Sequence, residues 1–341
     1  SDGDADSDAD SDGDGDTDTE TESDTWGESV PCPGEPQEGE VCVPGGKYVM
    51  GCVPGDTECE DSEKPLVTVT LSPFYIEVEE ADCVDTIEFL NTLHEGFQRF
   101  ESSVSTEIVD DCPKHVWSAS TGGGSGNTPI RLNEQDEYEW IGYPDDPGEP
   151  YCKQNRTVDG VCGGFSWLGA KLFCEWKGKQ LPSEAQWEAA ARGQTLDEYP
   201  CGSDLPDCWY GVYDCCPDPM GATCSWAYPL ECCIPLHTDN IGDCDSPFGV
   251  VGMYGNAAEW VADGIEGDHS WCEDGCTDPE PAPGEKKALK GGSIKDEITY
   301  TRISARKEYW DNLYGNIGRA KTGVRCVRPA EEPDGGPDGG G

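Results

Sequence analysis

The chain has 341 residues, 20 cysteines and a formal net charge of −48, from 70 acidic and 22 Lys or Arg side chains. This acid excess argues against nucleic acid and anionic membrane surfaces as partners, and no apolar run approaches the ~20 residues a spanning helix needs, so no transmembrane segment is predicted. The even cysteine count fits disulfides formed in an oxidising compartment: Cys272 and Cys276 have a zinc-like spacing but no second pair, and Cys215-Cys216 and Cys232-Cys233 suit bridged loops.

Residues 1–40 read as a disordered acidic leader and linker. Aspartate fills every even position from Asp2 to Asp18, and residues 1–28 carry 13 acids and no base, so this stretch has almost nothing to bury. Asp8, Asp10, Asp12 and Gly13 match the start of a calcium loop, but Thr19 stands where the bidentate glutamate belongs. A spacer that holds a domain off a cell surface is the expectation. No signal peptide opens the chain, so it reads as the mature form of an exported extracellular or cell-surface protein, including one with a lipid-anchored precursor.

Alternating apolar residues predict strands at Lys47–Met50, Val67–Leu71 and Phe74–Ile76. Asp82 predicts the cap of a helix running to about His94, with Val84, Ile87, Leu90 and Asn91 on one face. The stretch from about 98 to 163 reads as loop. Two helices follow. One runs from about Ser166 to Trp176 and buries Ala170, Phe173 and Cys174. The other opens at Ser183 with Gln186 completing a capping box, and stops at Arg192-Gly193. Residues 201–244 read as a cysteine-rich insert stapled by its own bridges. Short strands are predicted at Val250-Val251, Glu259–Val261 and Leu289–Gly292, and residues 330–341 read as a flexible tail. The domain proper is placed at 41–329, with an α+β, loop-rich, disulfide-stapled architecture.

Four blocks in one order carry a family signature. They are Gly45–Gly51; Phe165–Ala170 with Cys174-Glu175-Trp176-Lys177-Gly178-Lys179-Gln180-Leu181-Pro182-Ser183-Glu184-Ala185-Gln186-Trp187-Glu188; Ser246–Gly249 with Gly255-Asn256-Ala257-Ala258-Glu259-Trp260; and Lys290–Ser293 with Arg302–Arg306 and Gly323–Cys326. Over about residues 42–329 the chain resembles the formylglycine-generating enzyme, or sulfatase-modifying factor, family. That resemblance implies a loop-rich C-type-lectin-like fold and a disulfide between Cys174 and Cys326. A second family bridge would join the positions of Ala191 and Ile303, and both cysteines are missing together.

The resemblance also implies chemistry that can be checked by position. The family's oxidases convert a cysteine of a sulfatase peptide to formylglycine with O₂, using Cu(I) on two thiolates, a sensible choice for a soft ion. The corresponding stretch, Gly291 to Arg302, contains no cysteine, which leaves copper without its ligands. The family's calcium site maps to Gly252, Gly255, Ala257 and Glu259, a weakened set in which Gly252 replaces a side-chain ligand; the alternative is that Asn256 and Glu259 only satisfy the turn. The expected catalytic set is therefore empty and calcium is the one implied cofactor.

Three readings follow. The first is a surface protein that uses the scaffold to bind an unknown protein, glycan or peptide. Tyr309, Trp310, Asn312, Tyr314 and Asn316 are its candidate recognition surface, or simply a packed loop. The second is an active formylglycine-generating oxidase. The third is a self-associating subunit of an extracellular assembly.

Overall fold

A computed structural model describes residues 26–100, 103–106, 115–118, 130–141, 161–204, 244–293, 296–310 and 322–330. Residues 1–25 of the acidic leader, the interior of the cysteine-rich insert and the tail beyond residue 330 lie outside the described residues.

The N-terminal strands are β1 (Glu40–Val43), β2 (Gly46–Met50), β3 (Val67–Leu71) and β4 (Phe74–Glu77). In β3, Val67, Val69 and Leu71 are buried while Thr68 is exposed, the period-2 pattern of a half-buried strand. The domain begins earlier than position 41. Val30 pairs with Gly45 through two 2.7 Å backbone hydrogen bonds, and Cys32 is bonded to Cys42. Residues 30–40 are thus pinned to the fold, because Tyr75 also donates its hydroxyl to the carbonyls of Pro33 and Gly34.

Helix α1 (Cys83–Thr92) opens at Asp82, whose side chain accepts the Asp85 amide. It stops before His94 and faces the core with Cys83, Thr86, Phe89 and Leu90, leaving Val84 exposed. The face is turned from the predicted one by two long-range ties. Cys83 is bonded to Cys162, and Asn91 hydrogen-bonds the backbone of Tyr138 on both sides.

The stretch predicted as loop from 98 to 163 contains five strands among its described residues: β5 (Phe97–Phe100), β6 (Ser103–Thr106), β7 (His115–Ser118), β8 (Ile130–Leu132) and β9 (Tyr138–Trp140). They form a three-stranded sheet and a separate hairpin. Each has three or four residues, too few for a local alternation to be read; cross-strand pairing makes them strands.

Helix α2 (Trp167–Trp176) is capped by Ser166 and buries Gly169, Ala170, Phe173 and Cys174. Helix α3 (Glu184–Arg192) has the full Ser183/Gln186 capping box and ends at Gly193, whose φ of 64° suits glycine. The remaining strands are β10 (Ala258–Gly264), β11 (Cys276–Thr277), β12 (Lys286–Lys290), β13 (Lys307–Trp310), β14 (Thr322–Gly323) and β15 (Val327–Pro329). Val250 and Val251, predicted as a strand, lie instead in a turn tied to Ser246 and Val78, between the positive-φ glycines 249 and 252. Gly291 and Gly292, also at positive φ, end β12 at Lys290.

Sheet orders are β1-β4-β15, β13-β12-β10-β14 and β11-β3-β2. Among the described residues two large apolar cores result, besides a small cluster of Tyr199, Cys244 and Tyr254. One joins α1 and α2 to the small sheets around Phe89, Trp117, Phe165 and Phe173. The other packs α3 against β2, β3, β10 and β12 around Trp187, Met253 and Ile303. Strand β10 divides them: Trp260 enters the first core and Val261 the second, as alternate residues of a strand buried on both faces must.

Candidate functional site

The stretch Gly291–Arg302 runs from β12 through a 3₁₀ turn at Ile298–Thr301 to Arg302. Its described residues offer only hard oxygen donors and form a closed local network. Ser293 Oγ donates to Asp296 Oδ2 at 2.7 Å, Asp296 is ion-paired to Lys307, and Lys307 stands over the Tyr300 ring. This donor set does not fit Cu(I), which selects thiolates. Cys272 and Cys276 are bonded to each other. The twelve cysteines among the described residues are all in bridges: 32–42, 52–59, 83–162, 174–326, 201–244 and 272–276. Cys201–Cys244 closes the neck of the insert. Cys174–Cys326 ties α2 to the segment entering β15.

The turn carrying Gly252, Gly255, Ala257 and Glu259 is organised by charge. Arg325, fully buried, donates Nη2 to Glu259 Oε1 at 2.8 Å and Nε to both Glu259 oxygens at 3.1 Å, and Trp187 Nε1 donates to Oε2 at 2.8 Å. Arg325 also donates to the carbonyls of Glu77 and Val251. Glu80 holds the other side, accepting the Ala257 amide at 3.0 Å and a short bond from Asn256, which sits at φ 60°. Burial, then the nearby Glu259 charge, pushes the Glu80 carboxyl well above the usual carboxylate range. The four residues mapped to calcium therefore do share one turn. The single carboxylate among them, Glu259, accepts from a guanidinium and an indole.

A second buried cluster was not anticipated from sequence. Glu184, Glu188 and Arg192 follow one another at i,i+4 on α3, a spacing that usually marks a solvated helix face. Here all three are buried. Lys290 Nζ reaches Glu188 at 2.8 Å and Glu184 at 3.2 Å, Arg306 Nε reaches Glu184 at 2.9 Å, and Arg192 Nη1 reaches Glu188 at 3.1 Å. Burial raises the Glu184 carboxyl, but the charges of Lys290 and Arg306 outweigh it and hold the group well below its ordinary range. Asp263, which accepts the Glu184 and Ala282 amides, is pushed up to about 6 by burial and then by Glu184. The network cross-links α3, β10, β12 and the 302–306 segment beneath the surface.

One open concavity among the described residues is a groove of about 400 Å³. Helix α2 forms one wall with Trp167, Lys171 and Glu175, and the start of α3 contributes Gln186. A proline-rich strap, Asp278 to Pro281, forms the other wall. Trp167 is fixed there by Nε1 donating to the Val261 carbonyl and by Lys287 stacked on its ring at 4.3 Å. The alternating prolines at 279, 281 and 283 are a sequence feature from which this strap could have been read, although it was not anticipated from sequence. Tyr309 and Trp310 pair through their backbones with Lys287 and Lys286 in β13; their partners in the proposed recognition surface, Asn312, Tyr314 and Asn316, lie outside the described residues.

A profile of the sulfatase-modifying factor enzyme 1-like domain matches residues 27–330. The chain belongs to this sulfatase-modifying factor family. It is similar to the formylglycine-generating enzyme of Thermomonospora curvata, 31% identical over 323 residues that cover 86% of this chain and 95% of the relative. It is also similar to the inactive C-alpha-formylglycine-generating enzyme 2 of Mus musculus, at 26% identity with 86% of each chain covered. Among solved structures, PvdO from Pseudomonas aeruginosa shares the fold, with a TM-score of 0.55 at 17% identity over 85% of this chain and 94% of that one. A formylglycine-generating enzyme and a relative named as inactive are thus both similar to this chain over most of its length. No helix among its described residues is long and apolar enough to cross a membrane.

Proposed function

We propose that the protein is an exported, non-catalytic member of the sulfatase-modifying factor family, acting as a binding or structural module on a C-type-lectin-like scaffold. The observation that carries this reading is the stretch 291–302, where a Ser293–Asp296–Lys307 network stands and no cysteine occurs. The bonded state of the described cysteines supports it, and so does the similarity to an inactive relative. The groove beside Trp167 is the module's binding site for a peptide, protein or glycan: it pairs an aromatic wall with the Lys171–Glu175 ion pair and exposed acids on the strap. The bridges fit an extracellular or cell-surface location, with lipid anchoring of a precursor as the means of attachment.

The second reading is an active formylglycine-generating oxidase, favoured by 31% identity to the Thermomonospora curvata enzyme. One assay decides between them. The protein is supplied with Cu(I) and O₂ under reducing conditions, together with a Cys-x-Pro-x-Arg peptide, and the peptide is weighed by mass spectrometry. Unchanged peptide is expected; conversion of its cysteine to formylglycine overturns the first reading.

A further inference from the structure

The loop from Cys52 to Cys59 leaves β2 and returns just before a 3₁₀ turn at Asp61–Glu63. Its two cysteines are bonded at a sequence separation of 7. So short a ring restricts the unfolded chain far less than the Cys174–Cys326 bridge, whose separation is 152. The loop is also held without it. Cys52 N donates to the Glu63 carbonyl at 2.8 Å, Glu58 N to Asp56 Oδ1 at 2.9 Å, and Arg302 clamps the loop through Asp56 Oδ2 at 2.7 Å and the Glu58 carbonyl at 3.1 Å. With the bond opened these contacts hold the loop backbone, while the two sulfurs separate from bonding distance.

Both sulfurs and a carboxylate oxygen of Asp56 lie within 4.8 Å of one another, on three half-buried residues. Arg302 Nη1 is ion-paired to Asp56 Oδ2 at 2.7 Å and to Glu63 Oε2 at 2.8 Å, so two carboxylates share one guanidinium beside the sulfurs. Arg302 Nη1 also approaches Cys59 Sγ at 3.6 Å, a contact that stabilises a thiolate there.

We propose that Cys52, Asp56 and Cys59 form a thiol-gated metal site for a zinc-class divalent ion, opened by reduction of their disulfide. The chemistry balances with a dithiol as reductant. Its two sulfurs couple, giving up two electrons and two protons, while the Cys52–Cys59 bond breaks and each cysteine becomes a thiol. The ion then displaces both thiol protons to solvent and takes one Asp56 oxygen. Two thiolates and one carboxylate leave a fourth position for water, a set that suits a borderline ion and not calcium. Their three negative charges exceed the ion's two positive ones; Arg302, which also pairs with Glu63, donates to Cys59 and Asp56 from outside the ligand set.

The test uses the whole chain, reduced with a phosphine under native conditions and titrated with Co²⁺ alone. Alkylation and mass spectrometry report which cysteines have opened, and near-ultraviolet circular dichroism reports that the fold persists. One equivalent of Co²⁺ should give intense thiolate-to-cobalt absorption that Zn²⁺ abolishes. Cys52→Ser/Cys59→Ser should remove the band, Cys272→Ser/Cys276→Ser should keep it, and Asp56→Ala should weaken Co²⁺ binding tenfold or more. The proposal is overturned if the pair stays bonded in the folded protein, if the reduced chain gives no band, if the band survives Cys52→Ser/Cys59→Ser, or if folded Asp56→Ala binds as tightly as the wild type.

Discussion

The Arg325 guanidinium spans both carboxylate oxygens of Glu259, at 2.8–3.1 Å, with neither side chain reaching solvent. The pair joins β10 to the residues that lead into β15, and its spare donors tie down the carbonyls of Glu77, Val78 and Val251. Removing one member leaves the other charged and buried. Arg325→Met should cost about 3–5 kcal/mol in denaturant unfolding. Arg325→Lys should also destabilise, because an ammonium cannot make the two-pronged contact. The double change Arg325→Met/Glu259→Gln should cost less than the sum of its parts; strict additivity would show that the contact contributes nothing.

Asp263 gives stability an unusual pH trend. Its folded-state pKa is raised to about 6 from an ordinary value of 3.8. The stability linked to its proton is therefore fully present below about 4 and lost as pH rises through 6, by at most about 3 kcal/mol. Glu184 acts in the opposite sense: its pKa is depressed, so its contribution is present above 4.5 and lost as pH falls. Asp263→Asn should flatten the loss between pH 4 and 6.5. Below about pH 4 it should also lower stability by about 1–3 kcal/mol, since an amide offers one acceptor where two backbone amides now donate, and this difference should shrink as pH rises through 6. Urea melts of both proteins at several pH values provide the check; parallel curves would exclude Asp263 as the source.

The bridges differ in what they contribute. Chain entropy gives Cys174–Cys326, with its separation of 152, an upper contribution of about 5 kcal/mol, against about 2 kcal/mol for Cys272–Cys276 with its separation of 4. Paired serine substitutions should preserve this order in guanidinium midpoints. A larger loss at the short bridge would mean that native packing, and not the unfolded chain, sets the effect.

The capping box at α3 lends itself to a cycle. Ser183 Oγ accepts the Gln186 amide at 3.2 Å while Gln186 Oε1 accepts the Ser183 amide at 2.9 Å. Ser183→Ala should cost about 1 kcal/mol. Gln186→Ala should cost less, because Gln186 is partly exposed and water can reach the amide it leaves. Thermal melts of the two single variants and the double variant would measure the coupling.

Local sequence is enough for whatever has a local cause. The capping box, the Gly193 stop, the alternation of β3 and the motif blocks of the sulfatase-modifying factor family all depend on residues a few positions apart, so they are legible in the chain itself. The missing thiolates of 291–302 are legible for the same reason: a residue type is either present in a segment or it is not. Tertiary structure alone decided which face α1 buries, since Cys162 and Tyr138 set it from 79 and 47 positions away. It decided that 98–163 contains strands, because each is too short to be stable without its partner. It also decided that Glu184, Glu188 and Arg192 are interior, because the compensating Lys290 and Arg306 come from about 100 residues further along. The fate of Glu259 belongs here too: whether that carboxylate meets a metal or a guanidinium depends on where Arg325 returns, and only the folded chain brings the two together.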